Sequence, residues 1–108
     1  EAALSAAGLR RNVMIDCSHA NSAKDHNRQP VVARDAAAQI CAGNTSIMGL
    51  MLESNIHAGN QTLTRDRSRL AYGVSVTDAC IGWDATVEAL RQLADAVRRR
   101  RLTVSDAA

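Results

Sequence analysis

Ile47-Met48-Gly49-Leu50-Met51-Leu52 is an unbroken apolar run set between polar stretches. It is too short for a helix and reads as a strand buried on both faces. Upstream, Val13-Met14-Ile15 is a second run of the same kind, ending in the polar loop Asp16-Cys17-Ser18-His19-Ala20-Asn21-Ser22. Between the two, Pro30 suits the first turn of a helix. Behind it Val32, Ala33, Ala36, Ala37 and Ile40 recur at helical spacing until Gly43 closes the element. Buried strands joined through a helix spell a parallel βα unit. Further out, residues 1–7 are strong helix formers with Gly8 as a stop. From Glu53 to Thr77 the chain is polar and broken by Gly59, Asn60 and Gly73, a long loop with a short extended piece at Tyr72–Val76. Loops of that length inside compact domains tend to carry function. Val87, Leu90, Ala94 and Val97 then form the apolar stripe of a last helix. Asp84 near its start and Arg98–Arg101 at its end complement the helix dipole, leaving residues 103–108 as a frayed tail.

The chain has 108 residues and a net charge of +2, room for one small domain. Its apolar fraction of 46% overstates the core material, because twenty of those residues are alanine, Phe is absent, and Tyr72 and Trp83 are the sole aromatics. Aromatics bury the most area per residue, so the composition suits a piece of something larger. The first residue is Glu1 rather than Met, so the start of the protein is expected to be missing. No apolar run approaches the about 18 residues of a membrane helix, and no export signal opens the chain. Cys17, Cys41 and Cys80 are odd in number and far apart, which argues against a disulfide framework and for a reducing, cytoplasmic setting. With two aromatics there is no stacking platform for nucleic acid, and the arginine run belongs to a helix end.

In parallel α/β folds chemistry gathers at the carboxyl ends of the strands. There the first strand offers Asp16 and His19, the second offers Glu53, and Asp78 follows the long loop. One imidazole and two carboxylates make a donor set for a divalent metal such as Mn, Fe, Co or Zn. The same residues also read as a loop histidine bonded to backbone and as surface or helix-cap carboxylates. Spacing alone does not choose.

The wording of the loops is more specific. Ile15-Asp16-Cys17-Ser18-His19-Ala20-Asn21-Ser22, then Gly49-Leu50-Met51-Leu52-Glu53-Ser54 with Gly59-Asn60-Gln61, then Ser75-Val76-Thr77-Asp78-Ala79-Cys80-Ile81-Gly82-Trp83 occur in that order. Together, from about residue 9 to residue 101, they resemble the C-terminal part of the type I 3-deoxy-D-arabino-heptulosonate 7-phosphate (DAHP) synthases. The resemblance implies an α/β fold, namely strands 7 and 8 of a (β/α)8 TIM barrel, with residues 1–102 as its C-terminal portion. It implies a cytoplasmic, homo-oligomeric parent enzyme that condenses phosphoenolpyruvate with erythrose 4-phosphate and releases phosphate, the first step of the shikimate pathway. It names His19, Glu53 and Asp78 as metal ligands, the three residues that the strand ends single out, with His19 and Asp78 also serving catalysis. The family's fourth ligand is a cysteine near the first strand, and its phosphate-gripping Arg and Lys residues lie mostly on strands 2 to 6. None of these falls within the matching segment, and Cys17 is not the ligand cysteine. Asn55 stands where many relatives have histidine, and Arg65–Arg69 is unusually basic for its loop. Two rival readings are a 3-deoxy-octulosonate 8-phosphate type synthase on the same barrel and a non-catalytic interaction fragment.

Overall fold

The computed structural model describes residues 1–106. Helix α1 (Ala2–Ala6) leads to strand β1 (Val13–Asp16), helix α2 (Gln29–Cys41), strand β2 (Ile47–Met51) and the long helix α3 (Trp83–Asp106), with 3-10 turns at His19–Ser22, His26–Arg28 and Arg67–Arg69. β1 and β2 pair in parallel, Val13 opposite Ile47 and Asp16 opposite Met51, with an irregularity between Val13 and Met14. The glycine stops act as expected. After α2, Gly43 takes φ +108, and its N–H and that of Asn44 reach back to the carbonyls of Ile40 and Gln39. That double bond satisfies carbonyls the helix would otherwise leave free. Gly8 closes α1 with the same bond pattern, to Ser5 and Leu4.

α2 and α3 lie on one face of the sheet. Ala36, Ala37 and Ile40 of α2, Ile47 of β2 and Ala96 of α3 form one buried cluster, flanked by Val13, Ile15, Leu50 and Leu93. Cys17, Ala33 and Ala89 form a second. Alanine dominates both because small side chains let the two helices approach closely and still reach the strands.

Three expectations need correcting. The strands are not buried on both faces: Met14 and Met48 are each 67% exposed. Only one face has helices over it, so the strand composition calls for a second covering layer that these residues do not supply. The buried line of α3 runs through Thr86, Ala89 and Ala96, while Leu90 of the expected stripe is exposed and Val97 half-buried. And Arg98–Arg101 does not end the helix, which continues through Asp106. Arg99 instead pairs with Asp95 at 2.9 Å, and Arg100 donates to the Asn44 carbonyl beyond α2 at 2.9 Å. The expected tail is thus helical over 103–106, and residues 107–108 lie outside the described residues.

Candidate metal centre

β1 and β2 end side by side, and that end of the sheet carries the site. Beyond Asp16 the chain turns sharply, with His19, Ala23 and Lys24 at φ of +50, +53 and +60. Non-glycine residues in this region are strained and gather at functional loops. Local bonds hold the turn: Asn21 Nδ2 donates to the Asp16 carbonyl at 2.7 Å, and the Lys24 N–H donates to the His19 carbonyl at 2.8 Å.

This turn aims the His19 ring. Nδ1 lies 2.9 Å from Asp16 Oδ2 and 3.0 Å from Ser18 Oγ. Nε2 faces the other way, 3.3 Å from Glu53 Oε1 and 3.7 Å from Asp78 Oδ2. One donor atom from each of His19, Glu53 and Asp78 lies within 4.8 Å of the other two. Metal bonds of 2.0–2.2 Å set donor atoms about 3.4 Å apart around a tetrahedral ion, so the two His19 spacings suit a shared cation. A ring nitrogen aimed at the centre while the other is held by a carboxylate is the usual arrangement of a metal-bound histidine. The donor set fits.

Charge follows from the same contacts. Hydrogen bonds from Ser18 and His19 hold the Asp16 carboxyl down at about 2. The hydrogen bond to Asp16, then the carboxylates of Glu53, Asp16 and Asp78, raise His19 above the ordinary imidazole value. Burial raises the Cys17 thiol, which sits in the core as a small apolar residue and not in the site.

Glu53 is fixed through its backbone. Its N–H donates to Gln29 Oε1 at 2.8 Å, and its carbonyl accepts from Gln29 Nε2 at 3.1 Å and from the Ile81 N–H at 3.0 Å. Asp78 comes in on the long loop, which is more ordered than its sequence suggests. Isolated bridges pair Ser54 with Ile81, Gly59 with Cys80 and Asn60 with Ser75. The Gln61 side chain ties the loop across itself, bonding Ala71 and Val74. An open cavity of about 390 Å³ stands over the three donors, bordered also by Lys24, His26 and Asn60.

All three residues expected from the sequence therefore meet. The sequence reading missed the roles of Asp16 and Gln29. Asp16 carried a signal, three residues before His19 on one tight loop. Gln29 carried none, because its partner is 24 residues away.

Several known proteins are similar to this chain. "Phospho-2-dehydro-3-deoxyheptonate aldolase, Tyr-sensitive" of Escherichia coli (strain K12) is 60% identical over 87 residues, 81% of this chain and 24% of that protein. "Phospho-2-dehydro-3-deoxyheptonate aldolase, phenylalanine-inhibited" of Saccharomyces cerevisiae is 49% identical over 94 residues, 85% of this chain and 25% of that one. The solved structure of the Francisella tularensis phospho-2-dehydro-3-deoxyheptonate aldolase superposes with a TM-score of 0.84 at 46% identity, covering 92% of this chain and 28% of that one. This chain thus spans about a quarter of the length of these relatives. The family model described as the DAHP synthetase I family matches residues 1–91, and with it the chain belongs to that family.

Proposed function

We propose that these residues form the seventh and eighth strand–helix units of a (β/α)8 barrel. We propose further that the full protein is a metal-dependent 3-deoxy-7-phosphoheptulonate synthase, condensing phosphoenolpyruvate with erythrose 4-phosphate and releasing phosphate. The observation that carries this reading is the convergence of His19, Glu53 and Asp78 at the carboxyl end of a parallel strand pair, where barrel enzymes keep their chemistry. Membership of the DAHP synthetase I family supports this choice of substrates.

His19 Nε2, a Glu53 oxygen and an Asp78 oxygen would hold the ion, which when bound supplies Lewis-acid polarisation of the aldehyde oxygen. Asp16 keeps the His19 ring turned so that Nε2 faces the centre. Two carboxylates offset most of a divalent charge and leave room for substrate. Asp78 is the most exposed of the three, its side chain 74% accessible, so its second oxygen is free to take or return a proton. Lys24 on the cavity wall suits an anionic substrate.

In the full-length protein, His19→Ala should lose tightly held metal and at least about 100-fold in activity while keeping its fold, since the imidazole donor is removed from the centre. Metal content by elemental analysis, turnover, and circular dichroism together test this. Normal metal content and turnover in a folded variant would remove His19 from the site.

A further inference from the structure

Gln29 is the first residue of α2 and is completely buried, 0% exposed, an unusual state for a long polar side chain. Its amide spends both ends on one residue: Oε1 accepts from the Glu53 N–H and Nε2 donates to the Glu53 carbonyl. That carbonyl also accepts from Ile81, three residues beyond Asp78. Gln29 in turn ends the short segment that begins at His19. The segments bearing all three donors are therefore tied at the backbone of a single residue, Glu53, and Gln29 supplies two of the three bonds. We infer that Gln29 is the positioning residue of the metal centre, holding the Glu53 backbone so that its carboxylate meets His19 and Asp78.

The inference rests on the metal reading above and deepens it. A glutamine needed only to satisfy a buried backbone could be lost at a cost to stability alone. A positioning glutamine must also set metal affinity, because Glu53 then samples orientations that cannot close on the ion. Partners one step behind the ligands are worth about 10–100-fold in metal affinity.

The test uses the full-length protein, stripped of metal and titrated with Mn2+, with the free ion read by electron paramagnetic resonance. Gln29→Met keeps the buried volume and removes both bonds, and should raise the Mn2+ Kd about 10–100-fold. A folded Gln29→Met with unchanged Kd, whatever its Tm, overturns the inference. Should Gln29→Met fail to fold, Gln29→Asn, a methylene short of Glu53, takes its place with the same outcomes. His19→Ala in the same titration separates the two levels. Mn2+ binding retained there overturns the metal centre itself. Binding lost there, with Kd unchanged in Gln29→Met, overturns the role of Gln29 alone.

Discussion

Asp16 holds Nδ1 of His19 and leaves Nε2 facing Glu53 and Asp78, the orientation that a metal-binding histidine needs. The pairing has a pH signature in the metal-free protein. His19 is raised above its ordinary value of 6.5, so its contribution to stability is complete below that value and is lost as pH rises through the folded value. Asp16 is lowered from 3.8 to about 2, so its contribution is present above 3.8 and is lost as pH falls toward 2. The metal-free site is therefore best held between pH 3.8 and 6.5. Metal runs against this at the upper side, because ion and proton compete for Nε2 and binding strengthens as pH rises. Asp16→Asn should lower the His19 midpoint in an NMR titration of the imidazole and weaken metal binding about 10–100-fold. An unmoved midpoint would show that the Asp16 contact does not persist in solution.

At the scale of elements, legibility depended on how local the signal was. β1, β2 and α2 could be read because apolar runs, Pro30 and Gly43 act within a few residues of themselves. α3 was read as a helix but rotated. Val87, Leu90 and Val97 are bulkier than Thr86, Ala89 and Ala96, so hydropathy favours the wrong flank. The buried face is chosen instead by Ala33, Ala36 and Ala37 across the gap on α2, which demand small partners. His19 and Glu53 stood out because strand ends collect function, and the wording of the loops, by its resemblance to a known family, chose these two with Asp78 over the blander readings. The Gln29 clamp and the cross-bonding of Gln61 span the chain and leave no local trace. The long loop also has a point where little can change. Gly73 sits at φ +73, and a Cβ there would fall 2.8 Å from Ile56 Cβ. In the full protein Gly73→Ala should therefore cost about 1–3 kcal/mol in chemical denaturation. A loss below about 0.5 kcal/mol, the range of ordinary surface changes, would mean that the loop shifts freely to admit the methyl.

On the scale of the whole molecule, the described surface is too large for the chain's mass. The accessible area is 7678 Å², where a compact monomer of 11.5 kDa would expose about 5,800 Å². The radius of gyration is 17.2 Å against about 13 Å for a compact domain of this length. Among the described residues no helix is long and apolar enough to cross a membrane. Apolar surface stands open on the sheet face with Met14 and Met48 and in a groove between β2 and Leu90, Leu93 and Val97 of α3. Both strand edges are also unpaired outside their own ladder, and open edges favour association. The 108-residue chain alone should accordingly self-associate in size-exclusion chromatography, bind a hydrophobic dye, melt without a cooperative transition, and form no product from phosphoenolpyruvate and erythrose 4-phosphate. A soluble monomer with a sharp thermal transition, or any metal-dependent condensation, would contradict this account.

All three donors, with Asp16 and Gln29 that steady them, lie between residues 16 and 78. Donors drawn from one contiguous stretch are inherited together. Recombination that exchanges this stretch moves the three donors with their supports, whereas a crossover falling between Gln29 and Glu53 divides a contact that neither parent's other half is bound to restore. Selection on these three donors would then act on the stretch as a block.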